Sequence, residues 1–292
     1  MGAFDLSLFY SGMNRLVLGM VKKLIFADYF GKVLSTMSLS AMDQLTALGS
    51  VILYSLQLYF DFAGYTDMAV GLGRMFGFRL PENFDAPYLS RSVTEFWRRW
   101  HMTLGAFFRE YLYIPLGGNR KGTSRTVLNI AIVFLATGVW HGAGPNYLIW
   151  GGIHGLCVIV ERLIRDKKVY QKTPEVLKWL LTTCVVFLGW QLFRFEDLGD
   201  VGALLASVFR PAGGDITFTW QYYFNGKCLF FMAAAWLWSA LPGLRICREW
   251  REKALRRPVW QVLTAVAMLG LLVIAVIYMV NSTYSPFIYF RY

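Results

Sequence analysis

Three histidines are the side chains of this sequence that titrate nearest to neutral pH, and two of them occupy positions where an imidazole could do chemistry. His141 closes the stretch from Val127 to Trp140, which carries no charge, and Gly142, Gly144 and Pro145 follow it at once. Glycine and proline there stop a helix. An interrupted helix inside lipid is tolerated only where its backbone is covered by protein or lines a cavity, so the pattern aims His141 into a cavity. A neutral imidazole in such a place can take a proton from a hydroxyl or a thiol; the alternative is a histidine that bridges two helices. His154, flanked by Gly152 and Gly155, reads first as a packing or hydrogen-bonding residue.

His101 lies in the segment Thr94 to Leu116, which has too many charges for an ordinary membrane crossing and too many aromatics for a loop. At about 100° per residue, Phe96, Trp97, Trp100, Leu104, Phe107, Phe108 and Tyr111 fill one arc. Arg98, Arg99, Arg109 and Glu110 take the opposite side, and Glu95 stands one turn before Arg98 and Arg99, close enough to pair with either. The expectation is one amphipathic helix near 94–116, lying in the interface or re-entering the protein and ended by Pro115 and the Gly117-Gly118 turn. His101, at the edge of the aromatic arc, either anchors this helix or faces a reactant. The basic face either snorkels to anionic headgroups or draws a phosphate-rich thioester, such as coenzyme A or phosphopantetheine, toward Arg98, Arg99, Arg109 and the Arg120-Lys121 loop.

The elements that must hold these residues follow from composition. With 56% apolar and 17% aromatic residues in 292, the chain is that of an all-α polytopic membrane protein rather than a soluble domain. Windows at 6–26, 45–62, 126–140, 145–160, 176–193, 226–242 and 259–280 are apolar enough for six or seven spans. The net charge of +11 would suit nucleic acid in a soluble protein. Here the basic residues gather in short loops: Arg120, Lys121 and Arg125; Arg162, Arg165, Lys167, Lys168 and Lys172; Arg245, Arg248, Arg251, Lys253, Arg256 and Arg257. The loop from Arg194 to Lys227 instead carries Glu196, Asp197, Asp200 and Asp215. Such alternation puts the basic loops in the cytoplasm and the end near His141 on the other face. The partners expected are therefore membrane lipid and not nucleic acid, and the localisation is the inner or plasma membrane, crossed several times.

Asp61 and Asp67 interrupt a segment otherwise fit for lipid, where an acidic side chain costs roughly 2.5 to 3.5 kcal/mol. Six residues apart, they cannot face one another unless the helix breaks near Gly64; ion pairing, with Arg74 as the nearest candidate, is the expected role. Cys157, Cys184, Cys228 and Cys247 have no paired spacing, so neither zinc nor a disulfide framework is indicated. No metal-ligand cluster, G-x-S-x-G elbow or dinucleotide fingerprint is present. No internal repeat is evident and the chain reads as a single domain over 1–292.

The segment LYFDFAGYTDMAVGLGRMFGFRLPENFDAPYLSRSVTEFWRRWHMTLGAFFREYLYIPLGGNRKG, the segment GVWHGAGPNYLIWGGIHG and the ending PFIYFRY together resemble the membrane-bound O-acyltransferase (MBOAT) family, in its alginate O-acetylation branch. The resemblance implies a multi-helix enzyme that moves an acyl group, acetyl above all, from a cytoplasmic thioester donor such as acetyl-coenzyme A toward a hydroxyl of an exported polysaccharide, with an extracytoplasmic acetyltransferase- or esterase-like partner and no permanently bound cofactor. His141 matches the histidine of the family's W-H-G motif and is implied to be the catalytic base. His101 matches the family's second polar site, Asn or Asp in other branches, implied to orient or polarise a reactant. Trp140 would stand beside them as a donor, with Arg98, Arg99 and Arg109 holding substrate. Family members of this branch have further spans before MNRLVLGMVKKLIFADYF, so the chain resembles the C-terminal portion of a full-length member. Transfer of D-alanyl or another acyl group from a carrier protein is the alternative chemistry; a non-catalytic scaffold or transporter is the alternative outside enzymes.

Overall fold

The computed structural model of the protein describes residues 5–39, 42–209, 218–245, 247, 249, 257–281 and 287. Asp215, the basic residues Arg248, Arg251, Lys253 and Arg256, and all of the ending PFIYFRY except Phe287 lie outside the described residues. The described chain is all-α. Its helices are α1 (Leu6–Val21), α2 (Asp28–Ser35), α3 (Gln44–Met75), α4 (Val93–Arg99), α5 (Met102–Phe108), α6 (Gly122–His141), α7 (Pro145–Ile164), α8 (Lys168–Lys172), α9 (Glu175–Arg194), α10 (Leu198–Phe209), α11 (Trp220–Tyr223), α12 (Gly226–Ala240) and α13 (Pro258–Asn281). Among the described residues α3, α6, α7, α9 and α13 are long and apolar enough to cross a bilayer. The two remaining sequence windows hold α1 and α12, of 16 and 15 residues, short of the ~20 that a perpendicular crossing needs. A π-helical turn, Lys22–Ala27, carries α1 on into α2.

Contacts gather the chain into two compact units. The first comprises 1–37, 53–85 and 224–292. Within it α1 runs antiparallel to α3 at backbone contact. A Cβ on Gly19 would lie 2.7 Å from the Gly64 carbonyl oxygen, and one on Gly71 would lie 2.7 Å from that of Gly12. Small residues at such crossings let helix backbones close together where lipid supplies no hydrophobic drive. Between and beyond these crossings the buried aspartates Asp61 and Asp67 find their cations. Lys23 Nζ meets Asp61 at 2.7 Å and Asp28 at 2.9 Å, Lys22 meets Asp67 at 2.7 Å, and Arg15 reaches both Asp67, at 2.8 Å, and Glu82. Arg74 pairs with Glu82 at 3.2 Å. The expected Arg74 pairing is thus corrected: the aspartates are neutralised from α1 and its π turn, because α3 continues unbroken through Gly64 and turns its two acids toward different cations.

The second unit comprises 38–52 and 86–223. Its frame is the antiparallel run of α6, α7 and α9. A Cβ on Gly138 would stand 2.5 Å from the Tyr147 carbonyl oxygen, and Gly151 is pressed as closely on that of Phe134; these two glycines let α6 and α7 pack as a tight pair. The α6–α7 corner is tied to the end of α9 by Asn146, whose amide donates to the carbonyls of Phe195 at 2.7 Å and Glu196 at 3.0 Å. Alternating directions of α6, α7 and α9 agree with the alternation of basic and acidic loops.

Against this frame lies α4. Ser92 caps it, its hydroxyl accepting from the Glu95 N–H at 2.9 Å, the S-x-x-E signature of a helix start. Glu161, from α7, then takes the other free donors of the first turn: it accepts the N–H groups of Val93 at 2.6 Å and Thr94 at 2.9 Å, and the Thr94 hydroxyl at 2.7 Å. A carboxylate at a helix N-terminus also faces the positive end of the backbone dipole. The single helix expected over 94–116 is in fact two. α4 ends at Arg99, Trp100 is extended with φ −110° and ψ 129°, and His101 takes φ 45° and ψ 53° before α5 begins. A π turn at Arg109–Tyr113 and a tight turn with Gly117 at φ 105° and Gly118 at φ 55° then end the segment. The break divides the aromatic arc: Phe96 and Trp100 are buried, whereas Phe107 and Tyr111 are exposed.

Candidate active site

The second unit contains a cavity of about 660 Å³. Its walls come from α4 (Trp97, Arg98), from the turn before α5 (His101), from the π turn (Arg109) and from α6, which presents Ile130, Val133, Phe134 and Thr137. Those four positions follow helical spacing, and the next residue on the same face is His141, one turn beyond Thr137. His141 therefore stands one turn beyond the stripe that lines the cavity and is not itself among the lining residues, so the expectation that its ring looks into the cavity is corrected. Its side chain is 8% exposed and enclosed by rings: Trp140 at 4.9 Å, Phe193 at 5.0 Å and Trp150 at 5.1 Å between centroids, all nearly perpendicular to it.

His101 lines the cavity itself and touches Trp140 edge-on at 6.1 Å. One indole thus contacts both imidazoles. The left-handed backbone at His101 projects the ring out of line with both helices that flank it. Few residues without a glycine's freedom accept that conformation; Asn, Asp and His are the ones enriched in it. Burial lowers the His101 pKa to about 4, which keeps the ring neutral at physiological pH.

The sequence groups Arg98, Arg99 and Arg109 together; the structure separates them. Arg98 and Arg109 line the cavity and pair with no carboxylate among the described residues. Arg99 is held by Glu95 at 2.7 Å, which settles which of the two adjacent arginines that acid takes. Trp140 is half exposed.

Two supports were not apparent from the sequence. Thr137 lines the cavity one turn before His141, a position readable only by extending the helical stripe backward from the histidine. Glu161 clamps α4 from 68 residues away in sequence. His154 is fully buried and accepts a hydrogen bond at Nδ1 from Trp97 Nε1–H, 3.3 Å away, as the packing or hydrogen-bonding reading of it expects. Among the described residues no group of His, Cys, Asp or Glu is disposed to hold a metal ion, and the four cysteines are free thiols.

The fold and this site define an all-α membrane protein with one imidazole, His101, in a cavity wall and a second, His141, one helical turn beyond Thr137 of that wall. Comparison narrows the class. The sequence profile of the membrane-bound O-acyltransferase family matches residues 8–186, and the chain belongs to that family. It is 37% identical to a probable alginate O-acetylase of Pseudomonas putida over 97% of its own length and 61% of the relative's. To a peptidoglycan O-acetyltransferase of Helicobacter pylori it is 42% identical, over 64% of this chain and 36% of the relative. To a teichoic acid D-alanyltransferase of Bacillus subtilis it is 33% identical, over 59% of this chain and 45% of the relative. The chain spans between about two-fifths and three-fifths of the length of the alginate relatives that it matches.

Proposed function

We propose that the protein is an O-acyltransferase that moves an acetyl group from a thioester donor, acetyl-coenzyme A or a carrier-bound equivalent, to a hydroxyl of an exported polysaccharide. His141 is the general base. It removes the proton of the incoming hydroxyl as the oxygen attacks the thioester carbonyl; the tetrahedral intermediate collapses to the new ester, and His141 returns the proton to the departing thiolate. Base assistance of this kind contributes about 10²- to 10⁴-fold. His101, neutral at physiological pH, acts as the hydrogen-bonding partner that orients the reactant or its developing oxyanion.

The observation that supports this reading is the Trp140 indole, which both His101, in the cavity wall, and His141, one helical turn beyond Thr137 of that wall, contact. Two cations that pair with no described carboxylate, Arg98 and Arg109, stand in that same wall and suit the phosphate groups of a thioester donor. Names borne by the relatives support the acceptor: alginate and peptidoglycan for acetyl transfer. The names of the teichoic acid D-alanyltransferase relatives support D-alanyl transfer as the alternative chemistry. An extracytoplasmic esterase-like protein would complete delivery to the polymer outside the inner membrane. The test is the acetyl content of the exported polymer in cells carrying His141→Ala at wild-type protein abundance. Loss of acetylation is expected; unchanged acetylation removes His141 as base.

A further inference from the structure

His154 is the third histidine, and the chemistry above gives it no part. It is fully buried, and its two ring nitrogens are treated differently by their surroundings. Nδ1 accepts from Trp97 Nε1–H, so the proton of the neutral ring is on Nε2. That nitrogen has no hydrogen-bond partner and lies against α9 at Gly189, where a Cβ would be 2.9 Å from it. A buried donor without a partner carries a desolvation penalty, and the hydrogen bond that this ring does make is at its other nitrogen.

Trp97 is the residue that this bond fixes. Its indole is part of the cavity wall, beside Arg98 and three residues before the turn that carries His101. The same imidazole packs at 5.1 Å on Trp150, and Trp150 packs at 5.1 Å on His141; Trp97 and Trp150 meet edge-to-face at 5.3 Å. His154 is therefore the polar member of a ring cluster that touches the wall bearing His101 at one end and His141 at the other. It shares one face of α7 with Val158, which lines the cavity, and Glu161, which clamps the start of α4. Along this face α7 grips α4 twice, at its first turn and at its aromatic side.

We propose that His154 is a positioning residue for acyl transfer: by accepting from Trp97 Nε1–H it fixes the indole wall of the cavity and with it the relative placement of His101 and His141. It touches no reactant. This rests on the acyltransferase reading, which a separate measurement can disentangle. Displacements of about an ångström in a catalytic arrangement cost rate rather than binding, and a neutral hydrogen bond sets the scale at about tenfold or less.

The test uses the purified protein in lipid nanodiscs with acetyl-coenzyme A as donor probe, comparing His154→Leu, which fills the space without an acceptor, with His154→Asn, whose side-chain oxygen falls where Nδ1 was. The indole N–H resonance of Trp97, assigned by its loss in Trp97→Phe, is recorded in each. Expected results are a shifted Trp97 resonance and a kcat lowered about tenfold at nearly constant KM in the leucine variant, with both restored toward wild type in the asparagine variant. An unmoved Trp97 resonance in His154→Leu, or an asparagine variant as impaired as the leucine one, overturns the proposal. If the wild-type protein transfers no acyl group while the resonance still shifts and recovers, the acyltransferase assignment is what has failed, and the His154–Trp97 link stands without a catalytic role.

Discussion

His101 and His141 contact the same indole, that of Trp140, from two different structural settings: His101 from a left-handed turn between two short helices, His141 from the last residue of a membrane helix. Two imidazoles brought to one ring by unrelated backbone devices are unlike a pair fixed by the period of one helix. Each device can be tested separately.

The left-handed backbone at His101 sets what can replace it. His101→Asn keeps a residue that tolerates positive φ and is expected to fold with nearly native stability. His101→Val adds about 1–2 kcal/mol of backbone strain and is expected to lower the midpoint of thermal unfolding in detergent. Equal midpoints for the two variants would contradict a left-handed residue 101.

The same residue gives a sign to pH dependence. Burial holds the folded-state pKa of His101 near 4, below the ~6.5 of an unfolded histidine, so the unfolded chain binds the extra proton. Its stabilising contribution is complete above pH ~6.5 and is lost as pH falls toward 4. Thermal midpoints measured from pH 7.5 to 5 are expected to fall less steeply in His101→Asn than in wild type; parallel profiles would count against a buried neutral ring.

Glu161 satisfies two backbone donors and a hydroxyl at the start of α4. Glu161→Ala strips them and is expected to cost about 1–3 kcal/mol, whereas Glu161→Gln keeps one acceptor and loses less. Amide exchange at Val93 and Thr94 is the direct measure: both are expected to exchange faster in the alanine variant, and unchanged protection would show that α7 does not hold this helix.

Lys23 and Asp61 form an ion pair with both side chains buried. Removing one partner of such a pair costs about 3–5 kcal/mol, while replacing both with apolar residues is often neutral. Asp61→Leu is accordingly expected to unfold far below wild type. Lys23→Met combined with Asp61→Leu is expected to regain part of the loss, with Asp28 still demanding a cation. A double variant no better than Asp61→Leu alone would argue against direct coupling.

Much of this architecture is legible in the residues, and the exceptions share a cause. The end of α6 at His141 follows from Gly142, Gly144 and Pro145, and five of the apolar windows became full-length spanning helices. Ser92 caps α4 by accepting from the Glu95 N–H, a helix-start signature that lies just outside the expected boundary at Thr94. The break after Arg99 carries no such mark: Trp100, His101 and Met102 include neither glycine nor proline, and the turn is imposed by burial of Phe96 and Trp100 together with the grip of Glu161 and His154. Pairing of Asp61 and Asp67 with Lys23, Lys22 and Arg15 was hidden for the same reason. It depends on the register of α1 against α3, set by glycine contacts between helices and invisible in the period of either one alone. The division between cavity-lining Arg98 and Arg109 and paired Arg99 likewise required the real course of the chain.

Chemical rescue tests the role of His141 most directly. Purified His141→Ala protein in nanodiscs, supplied with acetyl-coenzyme A and a polysaccharide acceptor, is expected to release thiol at least about 10²-fold more slowly than wild type and to regain rate in proportion to added imidazole. A variant that works at the wild-type rate at equal abundance would contradict the assignment of His141 as the base.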